Sequence, residues 1–146
     1  MNTSVSYYNT QKKCSEFLGK LQLTDNVLKL IEYSGSIYFI LPLMLTAFQD
    51  YIRTQRLIRQ IRKILNSCKM NCEHTDCLHI FYKSAKDIRD NYLNIYKRLE
   101  QTKLQSFFLK RITEKSLNDW DELAVDCRVG SDGEFRGLIL QIAENS

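Results

Sequence analysis

The run from Ile37 to Leu65 constrains the fold of this chain more than any other stretch. It opens with an apolar block, Ile37 to Phe48, and no charged side chain occurs between Tyr33 and Gln49. From Arg53 to Lys69 there are six Lys or Arg and no Asp or Glu. We therefore expect one helix whose first half is fixed in the core and whose second half presents a cationic surface.

Helical spacing separates the apolar from the charged side chains in the second half of this helix. At about 100° per residue, the Leu and Ile side chains from Leu57 to Leu65 fall on one arc, and the cations from Arg53 to Lys63 fall on another. Arginine favours bidentate contacts with phosphate or carboxylate. The sequence therefore predicts a binding face for a partner or an anion, made of Arg53, Arg56, Arg59, Arg62 and Lys63.

That cationic face has an alternative interpretation. The first 113 residues carry nine more basic than acidic groups, whereas the last 33 carry five more acidic than basic groups. The acidic stretch Asp119 to Asp126 can pack against the cations and neutralise them. The same face can instead remain solvated without a partner.

A second long helix is predicted over about 76–109. Apolar and aromatic residues recur every seven positions from Leu78 to Leu99, which is typical of helices packed at a shallow angle. Only about ten residues separate it from the first long helix, which starts near Leu41 with Pro42 as its first helical position. The predicted fold is all-α, a long antiparallel helical hairpin completed into a bundle by short N- and C-terminal helices.

The flanking segments supply those short helices. Apolar spacing indicates one helix around residues 14–21 and another over about 25–33, after the N-cap types Thr24 and Asp25. An acidic helix ends at Val129-Gly130, and Ser131 to Glu134 forms a capping box for a final helix. Residues 1–10 are predicted to be a flexible tail and 11–146 a single helical-bundle domain.

The apolar block and the N-terminus bear on location. A bilayer span needs about 20 mostly apolar residues, so the block Ile37 to Phe48 is interpreted as a core helix, with a shallow membrane contact as the alternative. The N-terminus has no secretory signal pattern, and five cysteines without framework spacing favour a reduced compartment. We expect a cytoplasmic protein.

The densest cluster of reactive side chains lies between the two long helices. Five Cys or His occur within twelve residues, at positions 68, 72, 74, 77 and 79. Zinc takes four such ligands in a tetrahedron, although this spacing is not that of a zinc ribbon or finger. An ordinary polar loop with one or two buried thiols is the preferred interpretation, and the alternative is a zinc site made of Cys68, Cys72, His74 and Cys77.

The C-terminal segment carries a resemblance. Ser116 to Cys127, SLNDWDELAVDC, and Gly130 to Ile139, GSDGEFRGLI, resemble the C-terminal end of small uncharacterised helical proteins of cyanobacteria. The resemblance implies a bacterial cytosolic setting. It implies no activity and no functional residue.

The sequence alone does not determine what the protein does. It contains no Gly-rich phosphate loop, no G-x-S-x-G and no H-E-x-x-H, so no enzyme, cofactor or small-molecule substrate is predicted. The preferred function is a non-catalytic interaction or adaptor protein that binds a protein partner. The alternatives are a peripheral binder of anionic membrane or nucleic acid, and a small metal-binding or thiol redox sensor.

Overall fold

Four α-helices form the protein in the computed structural model, which describes residues 3–34, 40–68, 75–102 and 107–131. They are α1 (Thr3–Ser34), α2 (Ile40–Cys68), α3 (Thr75–Gln101) and α4 (Phe107–Ser131). Those ranges contain no strand, which confirms the prediction of an all-α bundle. Pro42 lies in the first turn of α2, where its missing N–H has no acceptor within the helix to lose.

Cross-helix contacts define how the helices are arranged. Tyr7 packs edge-on against Phe81, so α1 and α3 run parallel as neighbours, with Phe17 near Tyr92 further along. Similarly, α2 and α4 are parallel neighbours, and α3 packs most extensively on α4 and α1. The four helices therefore alternate in direction along the chain, although spatial neighbours α1 and α3, and likewise α2 and α4, are parallel. Helices α2 and α3 lie at opposite corners of the bundle.

This arrangement qualifies the predicted hairpin. Helices α2 and α3 follow each other in the chain and run in opposite directions, as expected for a hairpin. They pack on each other far less than α3 packs on α4, because they lie across the diagonal. The heptad pattern of α3 therefore serves contacts with α1 and α4 rather than a two-helix seam with α2.

The N-terminal segment corrects two predictions. A single helix of 32 residues replaces the predicted short helices, and residues 3–10 belong to it rather than to a flexible tail. Tyr7 packs against Phe81 of α3 and Thr10 is buried, so both residues hold this end of α1 against the bundle. The expected break at Thr24 is absent, since the helix continues through this residue and its hydroxyl donates to the Lys20 carbonyl at 3.1 Å, one turn back.

The C-terminal half of the chain also departs from prediction. Instead of continuing to residue 109, α3 ends at Gln101. The Thr102 hydroxyl donates to the Leu99 carbonyl at 2.9 Å, a local bond that competes with continuation of the helix. Helix α4 extends from Phe107 through Val129-Gly130, so the predicted end there is wrong. The predicted final helix, after the capping box that begins at Ser131, lies outside the described residues.

One hydrophobic core joins all four helices. Trp120 of α4 and Ile61 of α2 are completely buried in it, together with Phe81 of α3 and Leu21 of α1. Within the ranges that the structure describes, no helix is long and apolar enough to cross a bilayer. The outer sides of the helices remain exposed, and the outer side of α2 carries large apolar side chains.

Candidate functional site

Helix α2 has a second apolar face that points away from the core. Leu41, Leu45, Phe48 and Ile52 expose 67%, 60%, 52% and 38% of their surface. Their spacing of four, three and four residues places them within an arc of about 60° at 100° per residue. We call these four residues the apolar strip.

The apolar strip continues directly into cations on the same outer side. Arg56, Arg59 and Lys63 are exposed and follow at helical spacing. All seven side chains fall within an arc of about 80° opposite the buried residues of α2, and the arc runs for about 33 Å. We call these three cations the cationic strip.

The inner side of α2 explains why these residues face outward. Leu43, Leu57 and Ile61 are buried in the core on the opposite arc. Trp120 Nε1 donates a hydrogen bond to the hydroxyl of Thr54 at 2.9 Å, which ties the same inner side to α4. Since both contacts fix the rotation of α2, the strips are held on the surface by the core itself.

The structure divides the predicted cationic face into three environments. Arg62 Nη1 lies 2.9 Å from Asp126 Oδ2 of α4, so the predicted neutralisation by the acidic stretch occurs at this residue. Arg53 Nη1 lies 3.5 Å from Asp50 Oδ1 within α2. For Arg56, Arg59 and Lys63, no carboxylate of the described residues lies within 4.0 Å.

Asp119 and Asp121 of the acidic stretch have partners other than these cations. Asp121 accepts a hydrogen bond from Arg89 of α3 at 3.1 Å. Asp119 accepts one from Gln55 of α2 at 2.6 Å. The acidic helix therefore leaves the cationic strip open to another molecule.

Additional exposed aromatic rings lie at the apolar end of α2. Helix α4 begins at that end because it runs parallel to α2, with Gln55 opposite Asp119. Phe107 and Phe108 in its first turn are 68% and 65% exposed and pack edge-on at 6.2 Å between ring centroids. Phe107 and Phe108 therefore lie at the level of the apolar end of α2.

Sequence reasoning missed the apolar strip. The sequence predicts a core helix for the block Ile37 to Phe48. Of its described residues, Leu43 is buried and Ile40, Met44 and Ala47 pack against the core, so the prediction holds for one side of the helix only. Leu41, Leu45 and Phe48 face solvent because an apolar stretch has apolar side chains on all sides of the helix. One sequence signal could have revealed the strip. At 100° per residue, its side chains fall on the same arc of the helix as Arg59 and Lys63, which must face solvent.

The proposed metal ligands fall outside what the structure describes. Cys72 and His74 lie between α2 and α3, and the side chains of Cys68 and Cys77 at the helix ends are also outside it. Elsewhere in ranges 3–34, 40–68, 75–102 and 107–131, no group of three or more Cys, His, Asp or Glu is placed to hold a metal. The zinc hypothesis for these four residues stays a prediction.

The other two cysteines are buried in the core. Cys14 of α1 and Cys127 of α4 are free thiols, and burial raises the pKa of each to about 12. Because the thiolate is the reactive form, neither thiol is nucleophilic near neutral pH. Redox chemistry in this protein would depend on the loop cysteines.

Searches of protein-family models, curated proteins and solved structures find no match to this chain. The resemblance of the C-terminal segment to cyanobacterial proteins therefore stays a prediction.

Proposed function

We propose that this protein is a non-catalytic interaction protein that docks a segment of a partner protein along the outer side of α2. The observation that carries the proposal is the continuous strip of apolar and then cationic side chains, from Leu41 to Lys63, exposed on the outer side of α2. Large exposed apolar side chains that line up on one surface are typical of interaction sites.

Charge complementarity specifies the partner. The apolar strip fits the apolar face of an amphipathic helix, whose anchors also recur every three or four residues. The cationic strip then requires Asp or Glu further along the same partner segment. An antiparallel or parallel helix of about 20 residues matches the 33 Å length. The expected partner segment is apolar at one end and acidic at the other.

Site-specific crosslinking tests this proposal. We would replace Phe48 with the photo-crosslinking residue p-benzoylphenylalanine in the native host and identify the captured peptide by mass spectrometry. Val125, which is 50% exposed on α4, is the matched control position. We expect a product at position 48 only, formed with an apolar segment that is followed by acidic residues.

Binding of the captured segment then supplies the decisive measurement. A synthetic peptide of that segment should bind the purified protein, and Arg59→Glu with Lys63→Glu should weaken binding at least about tenfold, since two attractions become repulsions. The effect should decrease with added salt.

Three outcomes would overturn the proposal. A crosslink formed only with a second copy of this chain would make the strip a homodimer surface. Flotation with phosphatidylserine vesicles, without a protein crosslink, would make it a membrane-binding surface. A captured peptide that binds equally well to the double variant would place the interaction elsewhere.

A further inference from the structure

A cleft between α1 and α2 lies beside the outer side of α2. Unlike the strips, it is concave, and most of its charged lining residues are cations. Its volume is about 240 Å³. Lys13 and Lys20 of α1 and Arg53 and Arg56 of α2 line it, and Glu16 is the one carboxylate among the lining residues. The lining thus carries a formal charge of +3, which is concentrated in a concave site.

Three of the four cations lack a close carboxylate among the described residues. Lys13, Lys20 and Arg56 have no carboxylate of the described chain within 4.0 Å. Arg53 has a 3.5 Å contact with Asp50, which is 3% exposed and also interacts electrostatically with Lys20. Even with Asp50 and Glu16 included, the cleft keeps an excess of positive charge, which attracts an anion.

The floor of the cleft is apolar. Phe17 and Leu57 line it and are 3% and 5% exposed. Gln60 also lines the cleft, but its Oε1 is buried within the protein, so this atom is not offered to a ligand in the cleft.

We propose that this cleft binds a small phosphomonoester. The dianionic phosphate contacts Arg56 and the two lysines, since the guanidinium fork matches phosphate oxygens. The organic body packs on the apolar floor at Phe17 and Leu57. The volume lies just below that of common ligand pockets, which limits the ligand to a small metabolite.

The cleft and the strip share Arg56, which belongs to the cationic strip and also lines the cleft. The cleft adds a class of small-molecule ligand to the protein. Lys12, next to Lys13 on α1, is exposed and does not line the cleft. It belongs to neither site and therefore provides a matched control for Lys13.

Isothermal titration calorimetry with phenyl phosphate tests the proposal on the full chain. We expect saturable binding at one site, with inorganic phosphate binding several-fold more weakly because it lacks the ring that packs on Phe17. Arg56→Gln should weaken binding at least about tenfold, since a hydrogen bond to a charged group is lost. Lys12→Gln should change the affinity less than about twofold, because an exposed charge outside the cleft is screened.

Lys13→Gln provides a second variant, from α1, in case Arg56→Gln alters the packing of α2. It should also weaken binding of phenyl phosphate, while both variants keep the thermal unfolding midpoint of the parent protein. Equal losses in Lys13→Gln and Lys12→Gln would mean that general surface charge causes the effect, and they would overturn the proposal. Absence of saturable binding, or equal affinity for phenyl phosphate and inorganic phosphate, would overturn it too.

Discussion

The inner and outer sides of helix α2 have similar residue types but opposite surroundings. On the inner side, Leu57 and Ile61 are buried against the other helices. On the outer side, Leu45 and Phe48 are more than half exposed, with cations following in the same line. Apolar character alone therefore does not identify the core, and one helix carries core packing on one side and an exposed apolar and cationic surface on the other.

The largest effect should come from a cavity on the inner side. Ile61 is completely buried, so Ile61→Ala removes core contacts and leaves a space that the bundle fills only in part. We expect the free energy of unfolding to fall by about 2–5 kcal/mol. Urea denaturation followed by circular dichroism measures it.

Ile52→Ala is the matched control on the outer side of the same helix. Ile52 is 38% exposed, so the same chemical change should cost less than about 1 kcal/mol. Equal losses in the two variants would contradict the distinction between the two sides.

A second effect on the inner side concerns a buried hydrogen bond. Thr54 is fully buried, accepts from Trp120 Nε1 at 2.9 Å and lies 3.4 Å from the Tyr92 hydroxyl. Thr54→Val keeps the shape but removes the acceptor, which leaves the indole N–H unpaired. We expect a loss of about 1–3 kcal/mol in the free energy of unfolding.

A double-mutant cycle isolates that hydrogen bond. In a Trp120→Phe background no indole N–H remains, so Thr54→Val should cost clearly less than it does in the parent protein. An unchanged cost would assign the loss to packing instead.

The third test uses the one acid on the inner side. Burial raises the pKa of Asp50, while the charges of Arg53 and Lys20 partly offset that increase. The folded protein then holds this proton to a higher pH than the unfolded chain, whose Asp pKa is about 3.9. Ionisation of Asp50 therefore destabilises the fold as the pH rises through its folded pKa.

Asp50→Asn removes this contribution. The unfolding free energy of the variant minus that of the parent should increase from about pH 4 to neutral pH. Denaturation curves at several pH values measure the difference. A difference that decreases with rising pH would mean that the ionised Asp50 stabilises the fold through Arg53 and Lys20.

The sequence predicted the helical class and the location of the cations because both depend on local pattern. Scarce Gly and Pro and the seven-residue spacing of α3 need no knowledge of neighbours. The partner of each helix could not be predicted, because one apolar stripe packs equally well on any of three others. Helix α3 packs on α1 and α4 because the apolar faces of all four helices must be buried together in one core.

Other misses have particular causes. Thr24 and Asp25 are typical N-cap residues, yet inside α1 Thr24 bonds back to Lys20 and Asp25 pairs with Lys29 at 3.3 Å. The apolar strip was missed because the block containing Leu45 has no polar side to set its orientation. The cleft was missed because Lys13 and Arg56 are far apart in sequence and meet only when α1 and α2 pack.

The smallest effect on stability should come from the outer side itself. Phe48 is 52% exposed, so Phe48→Ser removes little buried area and we expect a change within about 0.5 kcal/mol in the free energy of unfolding. The same substitution should strongly weaken binding of the partner segment captured by crosslinking, because an aromatic anchor at the centre of the apolar strip is lost. Urea denaturation and peptide titration on one preparation measure both quantities. A large loss of stability with unchanged binding would show that Phe48 stabilises the folded protein and does not contact the partner. That result would contradict the proposed binding role of the outer side of α2.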